Sequence, residues 1–238
     1  MELSATYQKI SELRKRIDIL STYLELEEKQ DRLEEVQREL ENSEKPLFLI
    51  GGGSVNEESF QSWLEFLEEK NLPYVSSLKG SEKVIASDNY YGMIGAYGTR
   101  TANFAIQNSD LLIVVGSRMD VRQTGADSSS FANKAKIFQI DIEKSQLDNR
   151  VCVDYVMNVD CESFFRKFLA TDLTVKTEVS QWIDFLGRHF KHTFIDEYTD
   201  WSISPFKLIG SLNNIFEKQK VQYVADVGNN QMWVAHSL

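Results

Sequence analysis

The sequence predicts an α/β protein. Its expected plan is a parallel sheet with helices on both faces, preceded by a helical arm or hairpin and followed by an incomplete second α/β domain. Three observations carry this expectation. Short apolar, β-branched runs such as Leu111 to Val115 read as strands buried on both faces. These runs alternate with amphipathic helical stripes, at the crossover lengths that parallel strands need. Three of the runs end in loops rich in glycine or charge, at Gly51–Ser54, Gly116–Gly125 and Asp141–Lys144.

Taken in order, residues 1–45 form the arm. Ile10, Leu13, Ile17, Leu20 and Leu24 follow a 3,4,3,4 spacing, the seam of an amphipathic, coiled-coil-like helix. Leu33, Val36 and Leu40 make a second stripe out of register with the first. The arm is therefore either two helices broken near Leu24–Glu25 or one long helix with a stutter. Pro46 ends it. Residues 46–172 form the central domain: a strand at Leu47–Ile50, a helix carrying Phe60, Trp63, Leu64 and Leu67, and a strand from Pro73 to Ser76. A helix from Ala102 to Asn108 leads into the strand at Leu111. Strands follow at Lys136–Ile140 and Tyr155–Val159, then a helix with Phe164, Phe165, Phe168 and Leu169. Residues 173–204 are a linker helix (Trp182, Phe185, Leu186, Phe190) and a loop. Residues 205–238 open a further domain, with a helix from Pro205, capped by Ser204, to about Lys218 and a strand at Gln222–Ala225. The central layout is that of a Rossmann-like nucleotide site, in which ligands lie beyond the carboxyl ends of the strands.

Composition narrows the function. The net charge of −10 over 238 residues argues against a nucleic-acid binder, which needs a basic footprint. No apolar run is long enough to span a bilayer, and the first residues do not read as a signal peptide. Two cysteines, Cys152 and Cys161, are too few for a disulfide framework and fit a reduced, cytoplasmic setting.

The most informative stretch is Asp110 to Gly125. Gly116 lets a ligand approach the backbone, and Arg118 and Arg122 offer forked donors that suit phosphate. The alternative is a pair of surface ion pairs. Gly51-Gly52-Gly53-Ser54, between strand and helix, brings backbone N–H groups and a helix N-terminus to one point and so attracts phosphate; a plain tight turn is the alternative. Gly92, Gly95 and Gly98 permit close approach of a flat ligand or an adjacent helix, or make a tight loop. Asp141 and Glu143 can accept ribose hydroxyls or complement a helix N-terminus. His189, His192 and Asp196 are spaced for a metal, although two solvated histidines on a polar helix face explain them as well.

Several stretches together resemble the acetolactate-synthase-type enzymes of the thiamine diphosphate family. They are Pro46–Gly53, Gly92–Thr99 with Ala102-Asn103, Asp110–Gly125, Phe138–Glu143 and Asp226–Trp233, in the family's order over about 190 residues. The resemblance implies a Rossmann-like middle domain that holds FAD in many members. It places Gly51, Gly52, Gly53, Leu78, Gly95, Gly116, Arg118, Asp120, Arg122, Asp141, Ile142 and Asp160 along the FAD groove. Gly228, Asn229 and Asn230 would lie at the thiamine diphosphate end. Complete members use thiamine diphosphate and Mg²⁺ to decarboxylate a 2-oxo acid and join its acyl unit to a second carbonyl. This chain departs from many flavin-binding members at Lys79 (methionine there), Tyr97 (histidine), Val121 (aspartate) and Val159 (glycine). Val159 would crowd a ligand, so an FAD domain and a flavin-free relative both remain open. The domain bearing the activating glutamate has no counterpart upstream of Pro46, and the Gly-Asp-Gly metal motif is absent. The expectation is a fragment without catalytic residues or activity of its own, self-associating through the missing domains or the arm. A stand-alone FAD or nucleotide module, or a structural protein that associates through the arm, is the alternative.

Arg16–Leu24 and Arg32–Leu40 resemble the first helical segment of bacterial class-I peptide chain release factors. The Gly-Gly-Gln motif of that family is absent, so release activity is not implied.

Overall fold

A computed structural model of the chain describes residues 2–23, 26–84, 87–190, 204–216, 219 and 221–237. Its centre is a six-stranded parallel sheet of β1 (Pro46–Ile50), β2 (Tyr74–Ser76), β3 (Tyr90–Met93), β4 (Leu111–Val115), β5 (Lys136–Asp141) and β6 (Tyr155–Asn158). The spatial order is β3-β2-β1-β4-β5-β6, with every neighbouring pair parallel. This is the doubly wound order, and its chain reversal falls between β1 and β4.

The strand sequences explain their position. Every residue of β1 and β4 is buried, and successive side chains enter opposite cores. Phe48, Ile50, Leu111, Ile113 and Val115 join one cluster with α3 (Phe60–Glu69) and α6 (Cys161–Leu169). Leu47, Leu49, Leu112 and Val114 join the other with α4 (Arg100–Asn108) and α7 (Thr177–Phe190). The first face is aromatic: Trp63 stacks on Phe165 at 4.4 Å, and Phe48 meets Trp63 and Phe168 edge-on at 5.7 and 5.9 Å. On the second face Trp182 and Leu186 of the linker helix pack beneath the sheet.

The structure departs from the sequence reading in four places. The two stripes of the arm have different surroundings. In α1 (Glu2–Tyr23) Ile10, Leu13, Ile17 and Leu20 are exposed, whereas Leu33, Val36 and Leu40 of α2 (Leu26–Asn42) are buried in the first cluster. The change of register is thus a change of partner; the break expected at Leu24–Glu25 lies outside the described residues. Secondly, Tyr90–Met93 is a strand rather than part of a glycine loop. Its glycine and intermediate burial conceal the usual apolar pattern, as suits a sheet edge. Thirdly, nine residues separate Ile50 from the start of α3, so no helix N-terminus meets Gly51–Ser54. Fourthly, residues 221–226, which include the expected strand Gln222–Ala225, have no regular structure. A strand needs a neighbour for its backbone groups, and none of the six described strands pairs with this segment. It is flanked by α8 (Pro205–Phe216) and α9 (Asn229–Ser237), which pack on each other.

Candidate functional site

Loops at the carboxyl ends of β1, β2, β3, β4 and β5 enclose an open groove of about 920 Å³. The β1 and β4 loops are knitted together first. Gly51 N–H donates to the Val115 carbonyl (2.8 Å), Gly53 N–H to Gly116 (3.0 Å) and Gly116 N–H to Ile140 (2.9 Å). Ser54 is fully buried, and both its N–H (3.2 Å) and its hydroxyl (2.8 Å) donate to the Gly51 carbonyl. The amides of Gly51, Gly53 and Ser54 are therefore already used. These bonds make the segment a tight turn packed on the β4 loop, with Gly52 and Gly53 at the groove.

The β4 loop is then aimed at the groove. Met119 takes a left-handed backbone (φ 49°) and buries its side chain in the second core. This fixes the chain between Arg118 and Asp120, both of which line the groove. Asp120 caps the short helix α5 (Val121–Thr124), accepting from Arg122 N–H at 2.8 Å. Ser117 donates to Gln123 (2.8 Å), and Gln139 donates to the Ser117 carbonyl (3.2 Å) and to Gln146 (3.0 Å). Arg150 secures the end of the loop through Thr124 Oγ1 (3.0 Å) and Gly125 O (2.6 Å). Against this braced frame, neither Arg118 nor Arg122 has an ion-pair or hydrogen-bond partner for its guanidinium among the described residues. The surface ion-pair reading of these arginines is not what the structure contains.

The expected site residues divide by position. Gly52, Gly53, Leu78, Gly116, Arg118, Asp120, Arg122 and Asp141 line the groove. Gly51 does not, because it packs on the β4 loop: a Cβ there would lie 2.0 Å from the Gly116 carbonyl oxygen. Gly95 (φ 99°) instead lets its own loop press on α5, where a Cβ would lie 2.2 Å from the Arg122 carbonyl oxygen. Asn103 fixes that loop by pairing with both the N–H (2.8 Å) and the carbonyl (2.9 Å) of Gly95. Ile142 is 69% exposed and outside the wall, its carbonyl held by Asn158 at 2.9 Å. Asp160 is the N-cap of α6, accepting from Ser163 N–H at 2.8 Å. Gly228, Asn229 and Asn230 lie exposed at the start of α9, with Asn230 donating to Asp226. The two residues after them, Gln231 and Met232, do reach the groove.

Lys79 and Tyr97 stand in the wall, and Lys79 pairs with Glu82 at 2.6 Å. Val159 packs against the first core and is absent from the wall, so it does not narrow the groove. Ser77, Ile94, Ser117 and Gln146 also line it. The available signal for these four was position, since each follows the carboxyl end of a strand. The carboxylates have local duties as well: Asp141 accepts from Glu143 N–H (2.9 Å), and Glu143 from the Ser145 hydroxyl (2.9 Å). Beneath the glycines, burial and nearby Asp141 and Glu57 push the Cys161 thiol up to about 12, so it is neither ionised nor nucleophilic at neutral pH. The groove thus offers cations, hydroxyl acceptors and apolar surface, the fittings of a binding site.

Of the three residues spaced for a metal, His192 and Asp196 lie outside the described residues, as does the side chain of His189. Among the described residues no group of three His, Cys, Asp or Glu is placed to hold a metal ion. No described helix is long and apolar enough to cross a membrane.

Comparison with known proteins gives the same assignment of the domain. Residues 33–168 match the thiamine pyrophosphate enzyme family, central domain. The chain is 30% identical to a probable acetolactate synthase large subunit of Methanococcus aeolicus, over 82% of this chain and 35% of the relative. It is 31% identical to the acetolactate synthase large subunit of Corynebacterium glutamicum, over 86% of this chain and 33% of the relative. Over 49% of the chain it is 38% identical to the acetolactate synthase isozyme 2 large subunit of Escherichia coli, covering 21% of that protein. The chain spans about a third of the length of the first two relatives.

Proposed function

The chain belongs to the thiamine pyrophosphate enzymes, through their central domain, and from that premise we propose that its groove holds a nucleotide cofactor for an acetolactate-synthase-type enzyme. FAD is the proposed ligand, and ADP is its minimal recognisable part. The observation that carries the reading is the pair of unpartnered guanidiniums, Arg118 and Arg122, on a groove of about 920 Å³. That volume lies within the roughly 300–1,000 Å³ of small-molecule sites. The residues present fit the ligand. Arg118 and Arg122 would meet the diphosphate, each as a bidentate donor. Asp141 or Glu143, at the end of β5, would accept ribose hydroxyls. Leu78, Ile94 and Tyr97 supply surface for a flat ring.

In the complete enzyme, thiamine diphosphate with Mg²⁺ would supply decarboxylation of a 2-oxo acid and transfer of its acyl unit. The central domain would bind and orient its nucleotide without forming or breaking bonds. No Gly-Asp-Gly sequence occurs in the 238 residues. The chain by itself is therefore proposed to be without turnover: incubation with pyruvate, thiamine diphosphate and Mg²⁺ should yield no acetolactate above background, and measurable acetolactate would refute this. Calorimetric titration with FAD and ADP tests the groove. Binding of both is expected, weakened about tenfold or more by Arg118→Ala or Arg122→Ala, at about 1.5–3 kcal/mol per charged hydrogen-bonding group. Neither substitution should lower the melting temperature, since neither guanidinium has a partner to lose. Unchanged affinity in both variants would remove the reading.

A further inference from the structure

The feature that the groove does not use is α1. Ile10, Leu13, Ile17 and Leu20 recur at 3,4,3 spacing and are 43–59% exposed, with no described element covering them. The stripe is narrow, as in a coiled-coil seam, and Ile19 projects away from it. Its flanks are all of one sign. With Ile10 and Ile17 at a positions and Leu13 and Leu20 at d, Lys9 and Arg16 fall at g and Arg14 at e. All three are exposed.

That pattern selects a partner. Two parallel copies would set Lys9 of one against Arg14 of the other, because g faces e. Two antiparallel copies, with Ile10 meeting Leu20 and Leu13 meeting Ile17, would set Arg16 against Arg16 and Arg14 against Arg14, because like flanks then face each other. Both arrangements place like charges side by side. A lipid surface fits poorly too, since the apolar face is two positions wide and Glu12 is exposed on the same helix. We propose that α1 docks an amphipathic helix of another protein, one whose apolar stripe is flanked by Glu or Asp.

The test uses the full chain and two labelled synthetic peptides of about four heptads, with the same Ile/Leu seam but Glu at every e and g position in one and Lys in the other. Fluorescence anisotropy should show the acidic peptide binding at least about tenfold tighter than the basic one, less so at high salt. The double variant Arg14→Glu/Arg16→Glu should reverse the preference, and Ile17→Asp should abolish binding of both. These side chains lie outside the core, so circular dichroism should show the variants folded. Equal binding of the two peptides, binding of neither, or binding indifferent to Ile17→Asp would overturn the proposal. So would a chain dimer in sedimentation that Ile17→Asp dissolves, or displacement of the acidic peptide by phosphatidylserine vesicles.

Discussion

Single residues in Asp110–Gly125 do two different jobs, at opposite ends of one strand. Arg118 and Arg122 follow the carboxyl end of β4 and face the groove. Asp110 precedes the amino end, where its carboxylate accepts from the Ser43 hydroxyl, Glu44 N–H (2.9 Å) and Lys45 N–H (3.0 Å). It closes the connection from α2 into β1. Asp110→Ala should therefore destabilise the fold by about 1.5–3 kcal/mol, the range for a charged hydrogen-bonding group. Nucleotide affinity should be unchanged, because the groove lies at the other end of the sheet. A urea melt together with a titration checks both halves. The residue types in this stretch were legible in the sequence. Which of them were bound and which free was not, because a guanidinium's partner is set by long-range geometry. Gly51 and Gly95 show the same limit: the sequence marks both as glycines of special positions, but the group each one meets, the β4 loop for Gly51 and α5 for Gly95, comes from the tertiary fold.

Side-chain cross-links join the elements, and one of them makes stability depend on pH. Glu162, in the first turn of α6, accepts from both N–H (2.8 Å) and hydroxyl (2.7 Å) of Ser59, the residue before α3. It also pairs with Arg166 at 2.5 Å. The Ser59 N–H and these other donors hold its carboxyl at about 2, below the ordinary 4.5. Because the folded value is the lower one, the stabilisation is complete above about pH 4.5 and is lost as pH falls towards about 2. Glu162→Gln should lower the urea midpoint at neutral pH, and the gap to the parent should close on acidification through that window. A gap independent of pH would mean that Ser59 does not lower the Glu162 pKa. The helices α3, α4, α6 and α7 and most strands were readable from periodicity because each buries a simple apolar pattern. β3 escaped notice because an edge strand containing Gly92 buries little. The segment 221–226 has an apolar pattern but no neighbouring strand.

At the scale of the whole molecule, the sheet order decides where the site is, and the helices decide what belongs to the body. Reversal between β1 and β4 sets their two loops side by side, so residues far apart in sequence reach one groove. That much follows from a doubly wound pattern and was legible. The contribution of α2 was not, because its sequence is as charged as a free helix and only three apolar residues mark its contact. Its charges partly serve the same contact: Lys136 pairs with Glu39 at 2.9 Å, and the Arg32 guanidinium lies 5.4 Å from the centre of the Tyr155 ring. The consequence is a contrast between two apolar residues of similar type. Leu40 is fully buried, so Leu40→Ala should cost about 2–5 kcal/mol through lost burial and a residual cavity. Ile17 is 59% exposed on α1, and Ile17→Ala should stay within about 0.5 kcal/mol. Thermal and urea unfolding of the two variants measure the contrast directly. Equal effects would mean that α1 and α2 belong to the folded body to the same degree; a loss confined to Leu40→Ala would put the edge of the cooperative unit between them.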